Sequence, residues 1–87
     1  MTLRELALHC LKTPPLRLDT MTLQCDAGVW HGEVWAHQGE GLDDSRSAAL
    51  FAVYRTDREA KEAANEMAKR FRDPVALLAL ASSETDL

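Results

Sequence analysis

The chain has 87 residues, 46% of them hydrophobic, and a formal charge of −4, which is the composition of one small globular domain and not of a disordered segment. The acidic balance argues against a surface that grips phosphates along its whole length. Two cysteines, Cys10 and Cys25, are too few for a disulfide scaffold, and no run approaches the ~18–20 apolar residues of a membrane span.

Thr2-Leu3-Arg4-Glu5 reads as a capping box, and Leu3, Leu6, Ala7, Cys10 and Leu11 follow at helical spacing, so a helix is expected over 3–12. Thr13-Pro14-Pro15 ends it, because proline disfavours helical backbone in the residue before it and lacks an N–H. Arg4, Glu5 and His9 interrupt any apolar leader in this first segment. The expected location is therefore cytoplasmic, with reduced thiols.

From Leu16 the period changes to two. Strands are expected over 16–25 and 29–38, joined by the tight turn Asp26-Ala27-Gly28-Val29, with Gly28 free to take positive φ. With Asp26 opposite Val29, a regular ladder pairs Cys25 with Trp30, Leu23 with Gly32, Met21 with Val34 and Asp19 with Ala36, a mostly apolar face. Leu16 and Leu18 have the other parity, which predicts a bulge near Asp19-Thr20.

Gln38 to Ser47 is rich in Gly and Asp and reads as a mobile loop. A third strand is expected over 48–55. It is apolar on both faces, with Ala49, Phe51 and Val53 opposite Leu50, Ala52 and Tyr54, so it is expected to be central or covered on both sides. Thr56-Asp57-Arg58-Glu59 is a second capping box, and Ala60, Ala63, Ala64, Met67, Ala68 and Phe71 form a stripe that predicts a helix over 57–72. Its small side chains would let it approach a sheet closely. Its charges suggest Asp57–Lys61 and Glu66–Arg70 pairs at i,i+4 and a Glu66–Lys69 pair at i,i+3. Asp73-Pro74 can open another helix, favoured over a strand for the Ala- and Leu-rich 74–81, before a polar tail at 82–87.

The expected fold is therefore a single α+β domain, a small three-stranded antiparallel sheet with the long C-terminal amphipathic helix packed on one face. The order is α-β-β-β-α plus a short C-terminal apolar segment.

The proposed register puts Trp35 on the face opposite Trp30, with His31, His37, Thr20 and Leu18, and with Tyr54 and Leu50 joining from the third strand. An indole on the less apolar face of a sheet is a candidate contact, since aromatics are enriched at binding hot spots. The competing reading has the N-terminal helix or residues 75–81 covering it. The acidic loop adds Glu40, Asp43 and Asp44. The candidate partner-binding residues are thus Trp35, His37, Tyr54, Glu40, Asp43 and Asp44.

No metal or other cofactor is expected. His31 and His37 lie six positions apart, about 20 Å along a strand, and no spacing converges the four ligands of a zinc site. Cys10 or Cys25 could pair with a histidine for nucleophilic catalysis, but no nucleophile motif such as G-x-S-x-G occurs, and small buried thiols are the simpler reading. An enzyme is not expected, and a small enzyme of unknown chemistry is the third-ranked function.

The α-β-β-β-α order is also that of double-stranded RNA-binding domains. Arg58-Glu59-Ala60-Lys61-Glu62-Ala63-Ala64 resembles the start of that family's second helix, where K-K-x-A-K-x-x-A-A is usual. The resemblance implies phosphate-facing roles for Arg58 and Lys61. Asp57 stands where the first lysine belongs, and a tight turn replaces the family's longer groove-entering loop. In size and acidity alone the chain is similar to small phage inhibitors such as anti-CRISPR proteins, with no shared motif.

The leading expectation is a small non-catalytic protein-binding module, monomeric or homodimeric and without a membrane partner, that meets a protein with a basic surface. It could inhibit a host protein or nucleoprotein complex. Nucleic-acid binding is the second expectation.

Overall fold

The computed structural model describes residues 1–26, 28–39 and 42–82, without the side chain of Leu42. Helix α1 (Leu3–Lys12) is followed by strands β1 (Arg17–Asp26) and β2 (Val29–His37). A 3-10 turn at Leu42–Asp44 precedes β3 (Ser45–Ala49), and α2 (Asp57–Arg72) and α3 (Pro74–Ser82) complete the chain. This is the expected small α+β fold, with an open antiparallel sheet in the order β1-β2-β3.

Both capping sequences start helices. At α1 the box is reciprocal: Glu5 N–H donates to Thr2 Oγ1 at 3.1 Å, and Thr2 N–H donates to Glu5 Oε1 at 2.9 Å. At α2 only half of it forms. Glu59 N–H donates to Thr56 Oγ1 at 3.1 Å, but the Glu59 carboxylate accepts from the Thr56 hydroxyl instead of the backbone. The ion pairs on α2 are the expected Glu66–Lys69 pair and an Arg58–Glu62 pair, which stand in place of the expected Asp57–Lys61 and Glu66–Arg70 pairs. Asp73 caps α3, accepting from Val75 N–H at 3.0 Å.

The hairpin turns where expected, with Gly28 at φ 77° and Asp26 opposite Val29. The register beyond the turn differs from the regular ladder by one residue. An irregularity between Gln24 and Asp26 leaves Cys25 without a partner, and the pairs become Leu23–His31, Met21–Glu33, Thr20–Val34 and Leu18–Ala36. The bulge predicted near Asp19-Thr20 is absent, and the irregularity lies beside the turn instead. Because strand side chains alternate with period two, the one-residue shift carries Met21, Leu23 and Cys25 to the other face. Leu18, Thr20 and Thr22 now face α2. The two threonines are accommodated because Thr20 Oγ1 donates to Asn65 Oδ1 at 2.8 Å and the Thr22 hydroxyl bonds the Asp57 carboxylate.

The third strand also differs. It runs Ser45–Ala49 at an edge of the sheet, so it is neither central nor covered on both sides. Leu50 N–H still donates to Gly32 O at 2.9 Å, and Tyr54 and Trp30 then exchange two backbone bonds of 2.7 Å. Phe51, Ala52 and Val53 lie between these anchors, opposite His31 alone. The surplus residues bulge outward, leaving Phe51 82% and Val53 59% exposed. An edge strand needs only one inward face, so Ser45-Arg46-Ser47 suffices for pairing although it lacks an apolar alternation.

All three helices share the same side of the sheet. Leu3, Leu6, Ala7 and Cys10 of α1 meet Val34, Ala36 and Ala48 of the sheet, together with Phe71 of α2 and Leu77, Leu80 and Ala81 of α3. The Ala60-Ala64-Ala68 stripe lies directly over β2. A Cβ built on Gly32 would come 2.8 Å from Ala60 O and 2.9 Å from Ala64 Cβ, so glycine is what lets helix and sheet close to this distance. With α1 and α3 both engaged there, none of the described helices is left for the opposite face.

The candidate functional site: the open face of the sheet

Alternation along β2 divides its side chains into two sets. Gly32, Val34 and Ala36 are buried beneath the helices, whereas His31, Glu33, Trp35 and His37 point to the uncovered side. The neighbouring rows on that side are Asp19, Met21 and Leu23 from β1, and Ser45, Ser47 and Ala49 from β3. Trp35 sits mid-face, directly between Asp19 and Ser47. Met21 and Leu23 are 45% and 43% exposed.

The polar groups of this face hold one another. Trp35 Nε1–H donates to Glu33 Oε1 at 3.3 Å, and the indole stacks with the His37 imidazole at a centroid distance of 6.3 Å and an interplanar angle of 19°. His37 is fixed at both nitrogens: Nε2 lies 2.9 Å from Asp19 Oδ2, and Nδ1 lies 2.8 Å from Ser45 Oγ. A carboxylate only accepts, so the ring proton belongs on Nε2, and Nδ1 then accepts from the Ser45 hydroxyl. At the other end of the row, Cys25 Sγ is 2.6 Å from His31 Nδ1, and His31 Nε2 is 3.6 Å from Glu33 Oε2. The indole is thus held from both sides by Glu33 and His37.

Of the residues the sequence singled out, Trp35 and His37 come together here. Tyr54 does not: its bridge to Trp30 puts it on the helix-covered side, as core packing does Leu50. Asp43 and Asp44 are exposed in the 3-10 turn just before β3, so this part of the expected loop has local helical structure; Glu40 lies outside the described residues, as does the tail 83–87. Arg58 and Lys61 are at the start of α2 on the covered side. Arg58 pairs with Glu62 at 3.2 Å, and Lys61 borders a small cleft with Thr20, Met21 and Thr22.

Sequence reasoning missed Asp19, Ser45, Glu33 and Cys25 as members of this face. The i,i+2 spacing His31-Glu33-Trp35-His37 was a readable signal for the central row. The flanking rows depend on the bulge and on an edge strand with no apolar pattern. Cys25 in particular was expected to be a buried thiol and is exposed; Cys10 is the buried one, and burial pushes its thiol pKa up. Among the described residues, no group of three or more His, Cys, Asp or Glu side chains is arranged to hold a metal. Likewise, no helix there is long and apolar enough to cross a membrane.

A cleft of about 490 Å³ between β1 and α2 is lined by Asp19, Glu62, Glu66, Lys69 and Arg72 among others, a mixed-charge groove beside the open face. Comparison with known proteins finds no family model, no curated relative and no solved structure that matches the chain.

Proposed function

We propose that the chain is a non-catalytic protein-binding module that meets its partner with the open face of its sheet. The observation that carries this reading is Trp35, an indole in the middle of an uncovered face and pinned by Glu33 and His37. A fixed aromatic loses little further freedom on binding, which is the economy seen at hot spots. Met21 and Leu23 supply apolar area around it, with Phe51 and Val53 exposed on the edge excursion next to His31.

The charges favour a basic partner. Asp19 and Glu33 are on the face, with Asp19 partly offset by Arg17 at 3.2 Å, Asp43 and Asp44 border it, and the net charge is −4. A small acidic domain of this kind can act as an inhibitor by covering a basic groove on a host protein or nucleoprotein complex. The RNA-binding alternative has less support, because Asp57, Glu59 and Glu62 surround Arg58 and Lys61, and Glu62 already neutralises Arg58.

The test is an affinity pull-down from the source cell, followed by titration of the captured partner with purified variants. Trp35→Ala is expected to weaken binding while the thermal midpoint stays near wild type; Arg58→Glu with Lys61→Glu is expected to leave it intact. Unchanged binding by Trp35→Ala, with loss in the double variant, would transfer the function to the start of α2.

A further inference from the structure

The Cys25–His31–Glu33 row is chemically distinct from the rest of the face. We propose that Cys25 is a modification site, a thiol that exchanges with low-molecular-weight disulfides, with His31 as its base and Glu33 as the residue that positions His31. The inference rests on side-chain geometry and not on the docking role of Trp35.

Three observations converge on it. Cys25 is exposed because the irregularity in β1 leaves it unpaired beside the turn. Its sulfur lies 2.6 Å from His31 Nδ1, within reach of direct proton transfer. Glu33 Oε2 faces the other ring nitrogen at 3.6 Å, too far for a good hydrogen bond but close enough to favour the proton on Nε2 and to stabilise the imidazolium that forms. Nδ1 is then the free lone pair, directed at the thiol. This is the order nucleophile, base, orienting carboxylate, built across two strands of a sheet. Other charged groups near this end are Asp26, next in the chain, and Arg55, which follows Tyr54 opposite Trp30.

The step balances without a further oxidant. The Cys25 S–H proton passes to His31 Nδ1, and the thiolate attacks one sulfur of a disulfide RS–SR. The Cys25–SR bond forms as the original S–S bond breaks, and its electron pair leaves on the second sulfur as RS⁻, which takes the proton back from His31. Cys25 is oxidised to a mixed disulfide while one half of the reagent is reduced to a thiol. Cys10 is 3% exposed within the core and cannot resolve the product, so the adduct persists until an external thiol removes it. The chemistry suits a reversible modification and not turnover.

The test uses the folded 87-residue chain with glutathione disulfide and with the aromatic disulfide DTNB, following thiol release and intact mass against pH. One adduct is expected, on Cys25, absent in Cys25→Ser. Wild type is expected to react about ten-fold faster at pH 6.5–7 than a free cysteine-containing peptide of the 22–28 sequence. His31→Gln should lose that advantage at neutral pH and regain wild-type rates above about pH 9, where the thiol ionises unaided. Glu33→Gln, which keeps an acceptor for Trp35, should move the pH profile part of the way. A wild-type rate equal to that of the peptide overturns the proposal, as does a His31→Gln profile superimposable on wild type. If His31→Gln fails to fold by circular dichroism, His31→Asn and the peptide comparison decide in its place.

Discussion

The two faces of β2 are built on opposite rules. On the covered side Gly32, Val34 and Ala36 are small and apolar, and the helices come as close as backbone and methyl groups allow. On the open side His31, Glu33, Trp35 and His37 are large and polar, and their partners are one another and the adjoining strands. The first face is stabilised by excluded water and tight packing. The second is held by hydrogen bonds and one stacked pair, each contributing about 0.5–1.5 kcal/mol. Stability should therefore be sensitive on one side and binding on the other.

The largest expected effect is on the covered side. Leu6, fully buried, should cost about 3 kcal/mol on truncation to alanine, read as a lower urea midpoint at unchanged slope. Gly32→Ala should follow at about 2 kcal/mol, because the added methyl meets the Ala60 carbonyl and Ala64 and neither can retreat without moving α2. A neutral Gly32→Ala in chemical denaturation would mean that α2 sits farther from the sheet.

Trp35→Ala should invert the pattern, with a stability cost below about 1 kcal/mol and a loss of partner affinity of about thirty-fold. Leu78→Glu on α3 sharpens the comparison. Val75 and Leu78 expose 78% and 57% on the outer side of that helix, the rival apolar surface. Binding by calorimetry should survive Leu78→Glu; its loss there, with Trp35→Ala silent, would break the open-face reading.

The smallest effect concerns pH. Burial raises the Cys10 pKa, so above the ordinary thiol pKa of about 8.5 the unfolded chain sheds a proton that the folded one retains. Stability should fall as pH rises through that region, and Cys10→Ala should remove this part of the slope in urea titrations. Glu5 acts in the opposite range. Its backbone and side-chain hydrogen bonds with Thr2 lower its pKa, so its contribution is present above the usual glutamate pKa and fades in acid.

Much of the scaffold was legible. The Thr2 and Thr56 caps set helix starts through local hydrogen bonds, the alanine stripe marked the buried side of α2, and Asp73-Pro74 opened α3. The turn was legible because only glycine takes φ 77° without strain. The face assignment of β1 was not. Met21, Leu23 and Cys25 are the more apolar row, so pattern reasoning buried them, while the structure turns Leu18, Thr20 and Thr22, each half-buried, toward the helices. The two hydroxyls on the helix side bond Asn65 and Asp57, partners that arrive from a distant helix and that no local pattern announces. The same limit hid β3, whose polar edge strand and outward Phe51-Ala52-Val53 run reverse the usual signal.

What the sequence determined by itself are the features whose energy lies within one turn or one helix: caps, periodicity, the proline stop, the glycine turn and the alternation of β2. The tertiary structure decided which strand face meets the helices and therefore what remains open. That choice follows a single unpaired residue near the turn, and it brings together hydrogen-bonded residues 35 and 45 positions apart. A one-residue shift in a period-two element exchanges its faces, and local sequence does not carry enough energy to select between them.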